Sequence, residues 1–181
     1  MKIVAHRITN EELMRNLCTV TTHNKMESKI TTAGIYNCEH SPIRGMVFKI
    51  TMEGIPSFVS VHLVRHKIGV EHYVQTMRDD RGAQEVANRN TPVDHTMILN
   101  AQTLINMAKK RLCYKASKET RDVFNAIVDA VALVDEDLPK YLEPECIYRG
   151  GYCHEMKICG LVEGVKWVSP KSRTFKRYGD K

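Results

Sequence analysis

The sequence predicts an α+β domain with a small antiparallel or mixed sheet flanked by helices. Residues 47–53 and 73–78 alternate polar and apolar side chains, which is typical of half-buried strands. Residues 104–112 and 123–134 repeat apolar residues at three- and four-residue spacing, which is typical of amphipathic helices. Few strands and several helices that do not alternate strictly indicate the α+β class.

The first predicted element is a helix that begins at a capping box. Thr9 and Glu12 stand three residues apart, the spacing at which each side chain satisfies a backbone amide of the first turn. The next element is a strand over 47–53, with one face apolar and the other polar. The apolar face consists of Phe48, Ile50 and Met52.

Residues 54–56, Gly-Ile-Pro, predict a turn after that strand. Ser57 is placed to cap a short helix that runs to His66, and a second strand is predicted over 73–78. Residues 79–92 are polar and contain Gly82, so they predict a connector.

A third strand is predicted over 93–99, and two helices follow it. The stripe of the first helix is Leu104, Met107, Ala108 and Leu112. The longer stripe of the second is Val123, Phe124, Ile127, Val131 and Val134.

Length and charge predict one domain, residues 1–160, followed by a basic tail, residues 161–181. A chain of 181 residues can bury one sizeable core. The tail has six basic and two acidic residues, a net charge of +4 out of the +6 of the whole chain. Because the body carries only +2, we expect no nucleic-acid partner, and the tail alone keeps a nucleic-acid-binding module open as an alternative.

Composition and cysteine content bear on the compartment. The sequence has no long apolar run for a membrane span and no apolar segment near its start for a secretory signal, so we expect a cytoplasmic protein without a membrane partner. Its six cysteines are then expected to be reduced. Cys146, Cys153 and Cys159 lack the tight spacing of a zinc pair, so we expect no metal, although His154 leaves a fourth ligand available.

Two polar regions are candidates for chemistry. Arg65, His66 and Lys67 are adjacent at a predicted helix end, where they would form an anion site or merely complement the helix dipole. Asparagine is disfavoured in the interior of a helix because its amide competes for backbone groups. In the helix predicted after residue 100, Asn100 suits a cap, whereas Asn106 has no such role. Arg111 follows Asn106 by five positions, about 140° around the helix, so the two would address different partners or different parts of one ligand.

Together these two regions resemble the flavin-dependent thymidylate synthases. The signature of that family runs Arg-His-Arg, two residues, Ser, one residue, Asn-Glu, one residue, Ser, one residue, Arg-Tyr. Residues 65–78 open with Arg-His-Lys and, with one inserted residue, close with Gln75-Thr76-Met77-Arg78. The later match needs no gap and comprises Asn100, Leu104, Asn106, Arg111, Ala116 and Glu119. Residues 39–42 and 146–160 also resemble family segments, so the similarity covers most of 35–160.

The chain departs from the family signature at several positions. The first Ser is Val70, the Asn-Glu pair is His72-Tyr73, and the final Tyr is Asp79. The helical stretch that usually follows is shortened to a connector. Near its end, where the family has an arginine that approaches the nucleotide, this chain has Asn88 with Arg89 beside it.

The resemblance implies a flavin-dependent thymidylate synthase-like fold and a cofactor, FAD. The residues it implies for FAD are Arg65, His66, Lys67, Asn100 and Asn106. Those it implies for the nucleotide are His62, Arg65, Gln75, Thr76, Arg78, Arg89 and Arg111. His62 stands where the family has a glutamine near the nucleotide, and a partly exposed helix histidine is the open alternative. Arg111 is the implied catalytic residue, because a guanidinium against the uracil stabilises negative charge on the ring.

The implied reaction is reductive methylation of dUMP at C5 by a homotetramer whose sites lie between protomers. NADPH and methylenetetrahydrofolate are the implied co-substrates. A relative that acts on dCMP or UMP, or one that installs a hydroxymethyl group, is an alternative. A non-catalytic flavin or nucleotide binder is another.

Overall fold

A computed structural model describes residues 1–21, 29–82, 88–161, 163–164 and 166–167. Most of the predicted tail, and part of the connector after Gly82, therefore lie outside the described residues. The strands are β1 (Lys2–Arg7), β2 (Val47–Pro56), β3 (Val70–Val74), β4 (Pro92–Asn100), β5 (Tyr152–Cys153) and β6 (Lys166–Trp167). The helices are α1 (Glu11–Thr21), α2 (Thr32–Asn37), α3 (Ser57–Val64), α4 (Ala101–Arg111), α5 (Lys118–Ala132) and α6 (Glu145–Tyr148).

Four strands form an antiparallel sheet in the order β1-β2-β4-β3, which confirms the predicted fold class. The alternation predicted for β2 is present, since Phe48, Ile50 and Met52 are fully buried. Helix α5 packs against β1 and β2, and α3 packs against β2 and β4. The helices thereby cover the apolar side of the two central strands, and these elements form one hydrophobic core. Among the described helices, none is long and apolar enough to span a membrane.

The predicted capping box is wrong. The Asn10 side chain accepts the Leu13 amide at 3.0 Å and so caps α1. The Thr9 hydroxyl instead donates to the Gly45 carbonyl at 2.7 Å and accepts the Val47 amide at 2.8 Å. Thr9 therefore joins the end of β1 to the start of β2, a tertiary contact that competes with the local cap.

Two boundaries near the predicted site also differ from expectation. Ser57 is the first residue of α3 rather than its cap, and its hydroxyl lies 2.9 Å from the Arg89 carbonyl. Strand β3 begins three residues earlier than predicted, because Val70 and the residues after it pair with β4 from Leu99 back to His95. The partner strand, and not the local alternation, determines where β3 begins and ends.

A buried hydrogen bond joins α2 to the segment after α5. The hydroxyl of Tyr36, a fully buried residue, donates to Asp135 Oδ2 at 2.7 Å, and Asp135 is 4% exposed. The other carboxylate oxygen accepts the backbone amides of Asp137 and Leu138 at 3.1 and 2.9 Å. Asp135 therefore fixes the chain direction after α5.

We expect Tyr36→Phe to lower the free energy of unfolding by about 1.5–3 kcal/mol, because a buried carboxylate oxygen loses its closest donor. Urea unfolding followed by circular dichroism measures this. The matched control is Tyr141→Phe, which removes a bond to the neutral Ala33 carbonyl at 2.9 Å and is expected to cost less. Equal losses in the two variants would contradict the role given to Asp135.

Candidate functional site

The loop between α3 and β3, residues 65–69, lies on the first turn of α4. The Thr103 hydroxyl donates to the Ile68 carbonyl at 2.9 Å, and the Asn100 amide donates to the Gly69 carbonyl at 3.2 Å. Gly69 has a φ of +71°, and a Cβ there would lie 2.5 Å from Thr103 Oγ1 and 2.6 Å from Asn100 Nδ2. The loop approaches α4 this closely because residue 69 has no side chain.

Asn100 caps α4, as its sequence position predicts. Its Oδ1 accepts the Thr103 amide at 3.0 Å. The oxygen of the side chain is thus used by the helix, and its NH₂ group is the part that can donate to a ligand. Asn106, six residues further along on α4, is exposed.

An open cavity of about 600 Å³ lies between this loop and α4. It is lined by Arg44, Arg65, His66, Lys67, Ile68, Gly69, Asn100, Gln102, Thr103 and Asn106. The five residues that the resemblance implies for the cofactor thus line one cavity, although they come from two segments more than thirty residues apart. Three cations and three side-chain amides with no lining carboxylate suit an anionic ligand with polar edges. The donor set therefore fits the diphosphate and ring edges of a flavin dinucleotide.

A second cavity, of about 320 Å³, adjoins the first, because Arg65 lines both. Its lining residues are Arg65, Lys110, Arg111, Cys113, Lys115, Ala116 and Glu155. Four cations and one carboxylate make this cavity positive overall, which suits a phosphate-bearing ligand.

Arg111 holds the loop from the far end of α4. Its Nε donates to His66 Nε2 at 3.0 Å, and one terminal nitrogen donates to the His62 carbonyl at 2.6 Å. Burial, followed by the charge of Arg111 and the neighbouring His72, lowers the pKa of His66 to about 4. His66 is therefore neutral at pH 7 and accepts from Arg111 at Nε2, which places its own proton on Nδ1.

His62 and Arg89 meet through an aromatic ring. The Arg89 guanidinium lies 4.5 Å from the centre of the Phe58 ring, and the His62 ring meets that ring edge-on at 5.6 Å. His62 Nδ1 lies 3.0 Å from Thr120 Oγ1 on α5. Burial, with the charges of Arg111, Arg65 and Arg89, lowers the pKa of His62. His62 thus lies on α3 with Arg89 against the Phe58 ring of the same helix, and neither residue is among those that line the two cavities.

Gln75, Thr76 and Arg78 follow the end of β3, and all three are exposed. Gln75 pairs with Asp94 through backbone and side chain, at 2.8 and 3.0 Å. Arg78 forms an ion pair with Asp80 at 2.6 Å. The structure thus groups these residues at the outer edge of the sheet and does not bring them into either cavity.

Sequence reasoning did not assign Arg44 or Gln102 to the first cavity. Gln102 stands two residues after the cap of α4, and a polar side chain so near the start of that helix could have indicated that it lines the same cavity as Asn100. Its amide hydrogen-bonds the Glu39 carboxylate, which also pairs with Lys109 at 3.3 Å. Burial raises the pKa of Glu39, but hydrogen bonds from Tyr148, Gln102 and Lys109 outweigh it and leave the pKa below its usual value. Arg44 carries no local signal, because only the packing of its turn against α4 places it there.

Four of the six free cysteines line a third cavity, of about 200 Å³, beyond the C-terminal end of α4. They are Cys113, Cys146, Cys153 and Cys159. Burial raises the pKa of the Cys113 and Cys146 thiols, which favours their protonated form. Within the described ranges, no three His, Cys, Asp or Glu side chains are arranged to hold a metal ion.

The fold is that of the flavin-dependent thymidylate synthases, and this confirms, at the level of the fold, the resemblance found in the sequence. Thymidylate synthase X from Helicobacter pylori, solved with FAD and dUMP, superposes with a TM-score of 0.63 at 15% identity, covering 81% of this chain and 99% of its own. A second structure of that protein complexed with FAD and dUMP gives 0.62 at 14% identity, covering 79% and 98%.

The UMP/dUMP methylase PolB from Streptomyces cacaoi, bound with 5-Br dUMP, superposes with a TM-score of 0.58 at 13% identity. The match covers 77% of this chain and 94% of that one. No protein-family model matches the chain, and no curated protein sequence matches it.

Proposed function

We propose that this protein is a flavin-dependent enzyme that transfers a one-carbon unit to C5 of a pyrimidine nucleotide, converting dUMP to dTMP. The observation that carries the proposal is the first cavity, where Arg65, His66 and Lys67 face Asn100 and Asn106. The structures with the same fold were solved with FAD and dUMP or with 5-Br dUMP, which supports these ligand classes.

In this proposal the first cavity holds FAD. Arg65 and Lys67 offer charge to its diphosphate, and the amides of Asn100 and Asn106 bind its polar edges. The flavin supplies the redox and one-carbon chemistry, with methylenetetrahydrofolate and NADPH as co-substrates. The protein therefore needs no nucleophile of its own, and its task is to hold and orient the reactants.

The second cavity holds the nucleotide. Arg65 and Arg111 come from different elements and both line this cavity, so together they can bind an anionic substrate. Nε of Arg111 is bonded to the His66 ring and one terminal nitrogen to the His62 carbonyl on α3, and the remaining N–H groups of the fork can donate to the pyrimidine. We assign Arg111 the catalytic role of stabilising negative charge on the ring as C5 becomes nucleophilic.

We assign the remaining nucleotide residues to a site shared with a second copy of the chain. Gln75, Thr76 and Arg78 lie on an exposed edge outside both cavities, where they can reach a site on a neighbouring protomer. We therefore propose a homotetramer with sites between protomers. His62 and Arg89, which both contact the Phe58 ring, are the other two residues assigned to the nucleotide in this proposal.

Two further candidates follow from particular observations. The likeness to a UMP/dUMP methylase favours UMP as an alternative nucleotide, and dCMP or a hydroxymethyl product belongs to the same class. The altered signature at Val70 and His72-Tyr73 favours a flavin or nucleotide binder that does not turn over.

The test is to incubate the protein with FAD, NADPH and methylenetetrahydrofolate, and with dUMP, dCMP or UMP in turn. Mass spectrometry of the nucleotides is expected to show one methyl group added to dUMP. A methylated UMP or a hydroxymethyl product would select the corresponding alternative. Flavin binding with no product from any nucleotide would select the non-catalytic binder.

We expect Asn106→Leu to raise the Kd for FAD by roughly 5- to 150-fold, because a hydrogen bond worth about 1–3 kcal/mol is left unmade. Flavin fluorescence titration measures the Kd. Asn125→Leu is the matched control, since Asn125 is also an exposed helix asparagine but lies on α5, outside the cavity. Equal FAD affinity in the Asn106 and Asn125 variants would remove Asn106 from the cofactor site.

A further inference from the structure

Three side chains form a continuous series of hydrogen bonds behind the loop 65–69. Ser60 Oγ on α3 lies 3.0 Å from His95 Nδ1 on β4. His95 Nε2 lies 3.0 Å from His72 Nδ1 on β3. His72 Nε2 lies 2.8 Å from the backbone carbonyl oxygen of His66. The series therefore starts in the core, where Ser60 and His95 are 2% and 1% exposed, and ends on the loop that lines the first cavity.

The direction of these bonds follows from their last acceptor. A carbonyl oxygen only accepts, so His72 Nε2 carries a proton and donates to it. In neutral His72 the other nitrogen, Nδ1, is then an acceptor, and His95 must donate to it from Nε2. His95 Nδ1 is in turn an acceptor and receives the Ser60 hydroxyl. Both nitrogens of each ring are used in this series, and both rings carry their proton on Nε2.

The electrostatic surroundings keep the rings of His95 and His66 neutral. Burial, with the neighbouring His72, lowers the pKa of His95 to about 4. Burial, followed by the charges of Arg111 and His72, likewise lowers the pKa of His66 to about 4. A proton added to either ring would place a positive charge in a buried cluster that already contains the Arg111 guanidinium, and this disfavours the charged form.

Two contacts thus hold the loop at residue 66. His72 fixes the carbonyl of His66, and Arg111 fixes the His66 ring at Nε2. Because Arg111 lines the second cavity and His66 the first, the Arg111–His66 hydrogen bond connects the two cavities through residue 66. A rotation of the 66–67 peptide would break the contact between His72 and the His66 carbonyl.

We propose that His72 and His95, supported by Ser60, are positioning residues that fix the His66 carbonyl and so align the two candidate cavities. The part that concerns ligands rests on the proposed function, whereas the hydrogen-bond series belongs to the protein without ligands. Neither histidine touches a ligand in this scheme.

The first measurement is nitrogen-15 NMR of the histidine rings in the full-length protein without ligands. At pH 7 we expect His72 and His95 to carry the proton on Nε2 and His66 to carry it on Nδ1. Assignment of each ring uses the single variants His66→Gln, His72→Gln and His95→Gln. A proton on Nδ1 of His72 or of His95 would overturn the proposal whether or not the protein binds flavin.

The second measurement compares His72→Phe and His72→Gln. Phenylalanine keeps a planar ring but removes both nitrogens, so we expect the His66 ring signals to shift and the Kd for FAD to rise roughly tenfold. Glutamine places a donor near the former Nε2. We therefore expect the His72→Gln protein to have His66 ring signals and a Kd for FAD close to those of the parent. Tyr73→Phe, the next residue on the same strand with 58% exposure, is the control and should change neither.

The outcomes separate the two proposals. Unchanged His66 signals in a folded His72→Phe protein would overturn the positioning role. Shifted His66 signals together with no FAD binding in the parent would uphold that role and would contradict the proposed function alone.

Discussion

Replacing Arg111 by alanine is expected to slow the chemical step by roughly 10²–10³-fold, equivalent to about 2.7–4 kcal/mol. Its guanidinium is half-buried, lines the candidate nucleotide cavity, and is held by the His66 ring and the His62 carbonyl. A donor fixed in this way can stabilise charge on the pyrimidine without having to reorient during the reaction.

Arg111→Lys is expected to fail nearly as badly, because an ammonium cannot serve His66, His62 and a pyrimidine at once in the geometry of the planar fork. Single-turnover rates at saturating nucleotide measure the effect. Arg15→Ala is the control, since Arg15 is a helix arginine on α1 that pairs with Glu11 at 3.5 Å and does not line either cavity. An Arg111→Ala protein with the parent rate would leave Arg111 a structural residue only.

Gly69→Ala is expected to lower the free energy of unfolding by about 1.5–4 kcal/mol and to weaken FAD binding. A φ of +71° strains any residue with a Cβ by about 1–2 kcal/mol. The new Cβ would also meet Thr103 Oγ1 and Asn100 Nδ2 at 2.5 and 2.6 Å, which displaces the cap of α4 at a further cost of about 0.5–2 kcal/mol.

The control for this substitution is Gly54→Ala. Gly54 has a similar φ of +67°, but a Cβ there meets nothing within 4 Å, so only the backbone strain applies. The difference between the two variants in urea unfolding therefore isolates the contact between the loop and α4. If both variants lost the same free energy of unfolding and bound FAD equally well, the close approach of the loop to α4 would contribute neither to stability nor to FAD binding.

Local pattern was sufficient for the elements whose faces are amphipathic. The alternation around Phe48 predicted β2, and the stripe around Phe124 predicted α5, because in both cases one face is buried and the other is not. The short strand β1 was not predicted, since its six residues are stabilised by pairing with β2 rather than by a pattern of their own. The cap at Asn10 was missed because Thr9 has a tertiary partner.

The site divides in the same way. The adjacency of Arg65, His66 and Lys67 and the spacing of Asn100, Asn106 and Arg111 can be identified in the sequence and, with the family resemblance, suggest a flavin and a nucleotide. The sequence also predicts that the cofactor residue Asn106 and the nucleotide residue Arg111 point in different directions around α4. In the structure, the hydrogen bond between Arg111 and His66 connects the nucleotide residues to the cofactor residues, and nothing in the order of residues indicates that bond.

The sequence by itself determined the class of fold, the central strands, the long helices and the residues available for anion binding, because each depends on contacts within a few positions along the chain. Only the tertiary structure decided that Arg44 lines the cavity with the others, that Gly69 must lack a side chain, and that Ser60, His95 and His72 are hydrogen-bonded in series. These features need the relative placement of α3, β3, β4 and α4. That placement is determined by burial of the common core, a property of the whole chain that no local window contains.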